Sequence, residues 1–381
     1  MDNLTHSLVG LAAAKAGLGR LSPYATLVCV AAANLPDVDI VAVARGPAFY
    51  LKHHRGITHS LVGVAALAVV FPVLFYACER LAARARGRAA RANLKGLLTC
   101  SLLLSASHPL LDWTNSYGVR PFLPWDGRWF YGDLLFVVDP WVWLGLGGAC
   151  FLLARTRARA AGWAVLAAAL TVLVFRVSTR PDTTVPAVAP VLWCAGLAAF
   201  GVLRWKGTGA RFGPGVAATA LALLAFYCGA LSVVQTRARA SAERAARALA
   251  APAGEKVLRV AATPVLADPL AWRCLSETDR STGRFDLTLA RPGAEEPRNV
   301  VNYKKPAGEE AEAFARAAQN PDARVLLDFA RFPVSRVRRE AAGAWVVRLA
   351  DLRFTEPGAG GRPGGFALDV AVADPDAGLT P

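Results

Sequence analysis

Six apolar runs near 59–79, 95–113, 134–154, 161–178, 187–204 and 214–235 dominate this chain. Each approaches the roughly 20 residues that a helix needs to cross a bilayer. Segments of that kind leave few folds open. In hydrocarbon every backbone N–H and C=O must be paired internally, so the runs predict helices packed side by side. Two shorter helical stretches, about 4–18 and 22–36, come first and read as a hairpin of incomplete spans. With 54% hydrophobic and 19% charged residues, the chain is too apolar for an ordinary soluble protein.

The charge is unevenly spread. Residues 1–239 hold 23 basic and 9 acidic side chains, whereas residues 240–381 hold 20 and 19. The basic excess therefore belongs to the membrane part. It falls in short loops: Lys15 and Arg20; Arg80, Arg84, Arg86, Arg88, Arg91 and Lys95; Arg155, Arg157 and Arg159; Arg204, Lys206 and Arg211. These four loops alternate with the spans, so they read as cytoplasmic and as a topology signal rather than a nucleic-acid patch. Both termini and the connections 37–58, 114–133 and 179–186 then face outward, on the extracytoplasmic side. The N-terminus has no basic stretch before its apolar run, which predicts no cleavable signal peptide.

From residue 240 the pattern changes. A basic, Ala-rich helix (TRARASAERAARALAA) follows Gln235. Alternating runs KVLRVAATPVL, RFDLTLA, ARVLLDFARF, AWVVRLADLRF and FALDVAVA then predict strands, with GEEAEAFARAAQN as a helix between them and EPGAGGRPGG as a loose stretch. The expected fold is a mainly α polytopic membrane protein, residues 1–239, followed by a soluble, extracytoplasmic, β-rich (α+β) domain, residues 240–381.

All five histidines, His6, His53, His54, His59 and His108, lie within the first 108 residues. With them come NLPDVD (Asp37, Asp39), HHRGITHS and SHPLLDWTNSYG (Asp112). In the assigned topology every one of these residues falls at the outer face. Ionisable side chains in such surroundings are costly and usually functional. Imidazoles and carboxylates at this density are the donor set of a hydrolytic metal site. His108 and Asp112 are four apart and share a helix face. The competing structural reading is a histidine bonded to a loop carbonyl and an acid capping a turn. In HHRGITHS, Gly56 permits a tight turn from which His54 and His59 converge as ligands. His53 then either supports a ligand from behind or acts as a general acid/base, and Arg55 is a clamp for an anionic group, against the plainer reading of a positive loop residue at head-group level. Of Asp37 and Asp39, one is expected to ligate and the other to orient a ring. His6 completes the shell. Asp126, Asp133 and Asp139 are weaker candidates. The seven cysteines, none in a C-x-x-C pair, read as apolar fillers.

The segments HSLVG, NLPDVD, HHRGITHS and SHPLLDWTNSYG, in this order before a multi-span region, resemble the YdjM-type membrane-bound metal-dependent hydrolases. That family is described as inner-membrane and, in some bacteria, under LexA control. The likeness is strong over the first 140 residues and continues in TPVLADPLAWRCLSETD, FARFPVSRV and DLRF. More distantly, the order His6, Asp37 or Asp39, His54 or His59, then His108 and Asp112 is similar to zinc-dependent phospholipase C and P1-type nucleases. This chain departs from them in having no later histidine, which points to one or two ions rather than three.

Together these readings predict a divalent metal, zinc before manganese, and a metal-dependent hydrolase that attacks a phosphoester, lipid or lipid-linked. Membrane lipids are its expected partners; nucleic acid is not. The alternative is a non-enzymatic metal-binding sensor or transporter whose tail binds a protein partner.

Overall fold

A computed structural model describes residues 1–180, 185–289, 296–340, 344–357 and 366–373. Most of the Gly/Pro stretch EPGAGGRPGG and part of the 179–186 connection lie outside these residues.

The order begins with α1 (Asn3–Ala16), α2 (Ala25–Asn34), 3-10 turns over Leu35–Arg45, α3 (Pro47–His53) and a short 3-10 turn at Ile57–His59. Then come α4 (Leu61–Ala85), α5 (Leu94–Trp113), α6 (Pro140–Leu152), α7 (Arg157–Ser178), α8 (Val188–Trp205), α9 (Thr208–Phe212) and α10 (Pro214–Ala250). The C-terminal region holds β1 (Val257–Val265), β2 (Asp268–Thr278), β3 (Ser281–Thr288), β4 (Arg298–Lys304), α11 (Glu309–Ala317), α12 (Pro321–Phe329), β5 (Pro333–Arg339), β6 (Trp345–Asp351) and β7 (Ala367–Val372). Among the described residues six helical segments are long and apolar enough to cross a membrane. Two antiparallel sheets, β1-β2-β3-β4 and β5-β6-β7, make up the β-rich C-terminal region. The expected fold class is thus borne out.

Clustering of the fold gives two compact units. The first comprises Met1–Asp39, Arg55–Val233 and Pro264–Pro269, and the second Ile40–His54, Val234–Thr263 and Leu270–Pro381. The first is the helical one. Asp2 caps α1 by accepting from Thr5 N, Ser60 caps α4 by accepting from Gly63 N, and Asp139 caps α6 through Trp141 N and Val142 N. Small residues let its backbones approach closely. A Cβ at Gly10 of α1 would stand 2.7 Å from the Cys29 carbonyl oxygen of α2. The resulting core joins Leu8, Ala12, Val28, Ala32, Leu97, Leu104, Trp143 and Trp193, with Cys29 and Cys100 as fillers. By contrast, α7 buries none of its residues, as a helix bathed in hydrocarbon requires.

In the second unit the Ala-rich continuation of α10 buries Ala238, Ala242 and Ala246 against Trp272, Phe285 and Leu287 of the first sheet. Ala261 and Leu275 meet Phe332, Val334 and Leu352 between the sheets.

Four segments depart from the sequence reading. The stretch near 22–36, expected as an incomplete span, belongs to a span-length segment, Ala25–Arg45, because 3-10 turns over Leu35–Arg45 continue the helical path of α2. The run near 134–154 is helical only over Pro140–Leu152, because Asp139 caps it and Pro140 occupies its first turn. The Ala-rich helix after Gln235 is no separate element but the second half of α10. The run ARVLLDFARF, expected as a strand, forms α12 through Phe329: Asn320 caps it, Pro321 opens it, and its buried Ala323, Leu326 and Phe329 recur every third residue.

Gly63 seats the start of α4 on the turn that carries His59. A Cβ there would stand 1.8 Å from the Ile57 carbonyl oxygen. Gly63→Ala should therefore cost about 1–3 kcal/mol of stability through overpacking, read as a lowered thermal midpoint in detergent.

Candidate metal centre

Three segments of the helical unit bring their polar residues to one place. Asp37 and Asp39 follow α2, His59 ends the turn before α4, and His108 and Asp112 occupy the last two turns of α5. Four donor atoms converge there. His59 Nε2 stands 3.2 Å from His108 Nε2, 3.3 Å from Asp37 Oδ1 and 3.3 Å from Asp112 Oδ2. His108 Nε2 stands 3.4 Å from each of the same two carboxylate oxygens. A tetrahedral ion with bonds of about 2.0–2.1 Å holds its ligands roughly 3.3–3.4 Å apart. These separations match that edge length, and the four residues together can hold a metal ion.

The two rings are fixed from behind. His108 Nδ1 is 2.7 Å from the Ala33 carbonyl oxygen, an acceptor only, so Nδ1 carries the proton and the Nε2 lone pair faces the carboxylates. His59 Nδ1 lies 3.3 Å from Asp39 Oδ2, which also accepts from Arg55 N and from Thr58 Oγ1. This is the outer hydrogen bonding that orients metal-binding imidazoles. Three carboxylates, those of Asp112, Asp37 and Asp39, lie 3.3 Å from the buried ring of His59. The place attracts positive charge. Asp112 Oδ2 is buried without a conventional hydrogen-bond partner, as a donor reserved for an ion would be.

The other oxygen of Asp112 faces a second group. His6 Nε2 is 3.3 Å from Oδ1, Arg55 Nη2 is 3.0 Å away, and the Met1 amino group also contacts it. The His6 ring stacks on His108 with centroids 3.7 Å apart. Arg55 is buried, and its Nη1 donates to Asn115 Oδ1 at 2.9 Å and reaches the carbonyls of Asp112 and Gly118. Its guanidinium also lies over the Tyr117 ring. The fork thus holds Asp112 and the 115–118 loop, and Nε is buried without a partner. The sharp turn falls on Arg55, with φ 53°, rather than on Gly56. The strain of that left-handed backbone is held by the bonds at both ends of the residue.

His6, Asp37, Asp39, Arg55, His59, His108 and Asp112 are therefore gathered in one cluster. His53 and His54 belong to the other unit: His53 is exposed and its ring lies 4.2 Å from that of Phe49, while His54 stacks on Tyr50 at 4.6 Å. Neither is in the four-donor set. Asp126 pairs with Arg128, and Asp139 caps α6 and accepts from Tyr227 Oη. Asp133 is buried at a positive φ of 51°. Three participants escaped the sequence reading. The Ala33 carbonyl and the Met1 amino group have no side-chain signature, and nothing in the type or spacing of Asn115 marks it as a partner of Arg55.

The first part of the chain is similar to a known family. Residues 1–181 match the model of the YdjM inner membrane protein family. The resemblance carried by the four motifs is borne out over that part, which includes the whole cluster. An uncharacterized protein YfhP of Bacillus subtilis (strain 168) is 27% identical over 154 residues, covering 38% of this chain and 43% of that one. The chain thus spans less than half the length of that relative. No solved structure matches.

Because Asp39 fixes the His59 ring without joining the four donors, Asp39→Ala should weaken metal affinity about 10–100-fold. His53→Ala should leave it unchanged. Competition with a chromogenic chelator measures both.

Proposed function

We propose that this protein is a membrane-bound, metal-dependent hydrolase acting on a lipid or lipid-linked phosphoester at the extracytoplasmic face of the inner membrane. The observation that carries the reading is the buried quartet His59, His108, Asp37 and Asp112, at tetrahedral spacing and with both imidazoles fixed by outer hydrogen bonds. Membrane proteins bury such charge where they use it. The 3.2–3.4 Å separations suit zinc; octahedral magnesium, with bonds of about 2.0–2.1 Å, would need neighbouring ligands only about 2.9 Å apart. A bound divalent ion supplies Lewis acidity and a water of lowered pKa.

The chain's own residues do the rest. His59 and His108 present neutral nitrogens. Asp112 is oriented by Arg55 and His6 and supplies negative charge through Oδ2. Asp37 is the accessible member: its side chain is 14% exposed against at most 1% for the other three. Water and substrate approach past Asp37. The cluster lies after α2, before α4 and in the last turns of α5; on this reading that is head-group depth, which favours a substrate with a phosphate at the lipid–water boundary. The orientation rests on the basic loops, and the C-terminal unit is then a soluble extracytoplasmic domain.

One observation favours the second reading, a metal-binding sensor. Four protein donors close a tetrahedral shell, as structural sites do. A transporter is less well supported, since the membrane helices after residue 140 offer almost no ionisable path.

The test is turnover by purified protein on phospholipids and polyprenyl phosphates. The hydrolase reading predicts release of phosphate or head group that a chelator abolishes and zinc restores, and that His108→Ala lowers by at least about 100-fold. Full metal occupancy without turnover on any of these substrates would select the sensor.

A further inference from the structure

At the end of α1 opposite His6 lies a second site with different chemistry. A cavity of about 1350 Å³ opens among the C-terminal end of α1, the α6–α7 turn and the α8–α9 region. Lys15, Arg20, Arg155, Arg159 and Arg204 line it, and no acidic residue does. Arg204 is committed to the end of α6, donating to the Phe151 and Ala154 carbonyls at 2.7 and 3.1 Å. No carboxylate within 4 Å pairs with Lys15, Arg20, Arg155 or Arg159 among the described residues. A basic loop preference explains why cations stand at these helix ends. It does not explain their convergence on one cavity, where like charges repel.

The neighbouring cavity supplies the second observation. About 350 Å³ of apolar space lies between α1, α6, α7 and α8, walled by Trp143, Phe151, Trp163, Trp193 and Phe200. Trp163 and Leu166 line both cavities. The pair therefore forms one amphipathic cleft: cationic at the helix ends, hydrocarbon-like towards the middle of the bundle. Free phosphate would use only the first part and a neutral lipid only the second.

We propose that this cleft binds an anionic phospholipid, with its phosphate head group among Lys15, Arg20, Arg155 and Arg159 and one acyl chain against Trp163 and Phe200. Basic pockets between membrane helices recognise such head groups, and the apolar volume lies in the range of formed ligand pockets. Lys15 stands nine residues beyond His6 on α1, roughly 14 Å of helix rise. The lipid here is a bound structural or regulatory ligand rather than a substrate of the metal centre, and the inference holds whether or not that centre is hydrolytic.

The full-length protein, stripped of lipid in a neutral detergent, is titrated by native mass spectrometry with phosphatidylglycerol, with phosphatidylcholine of the same acyl chains, and with glycerol phosphate. Wild type should bind phosphatidylglycerol roughly tenfold or more tightly than phosphatidylcholine. Arg155→Gln/Arg159→Gln, changed at exposed positions, should erase that preference. Ala167→Phe, which fills the apolar part, should weaken both lipids. Glycerol phosphate should not compete. Equal affinity for the two lipids, wild-type binding by the variants, or competition by glycerol phosphate would each overturn the proposal.

Discussion

A carboxylate among apolar helices is costly unless charge and hydrogen bonds compensate it, and Asp112 is compensated on one of its oxygens by three groups. Its Oδ1 meets the Met1 amino group, His6 and Arg55, and its Oδ2 faces His59 and His108. These partners come from the start of α1, the turn before α4 and the body of α5. Removing the carboxylate would leave Arg55 and the amino group buried with positive charge and no counter-ion. The packing of the helices at this end is therefore inseparable from the site that they hold.

The helical unit sorts its chemistry by height. One set of helix ends carries the acids and imidazoles, the middle is apolar, and the opposite ends carry cations. The acidic end attracts a positive ion and the basic end a negative head group. Small residues make both ends feasible: Gly10 allows α1 to reach α2, and Gly63 seats the His59 turn. The C-terminal unit is built differently, from two sheets and an amphipathic helix, and contributes none of the four donors.

Much of this was legible in the sequence because it rests on residue type and spacing. Span-length apolar runs leave helices as the only solution. Histidines crowded beside acids announce a site, and a four-residue spacing places His108 and Asp112 on one face. What could not be read depends on backbone atoms and on competition. The Ala33 carbonyl that fixes His108 belongs to a residue with no polar side chain. His53, His54 and His59 are equivalent as letters, and nothing in their spacing says that His59 is the one in the quartet. Arg55 looked like an anion clamp, but its fork engages Asp112 and Asn115. Residues 321–329 alternate well enough for a strand, and the proline and asparagine at their start decide for a helix.

The central claim is that the buried quartet is a metal centre. Elemental mass spectrometry of detergent-purified protein, wild type beside a folded His108→Ala/Asp112→Ala variant, tests it directly. The account predicts about one equivalent of a divalent transition metal in wild type and none in the variant. No metal in wild type after incubation with zinc or manganese, or equal metal in both proteins, would contradict it.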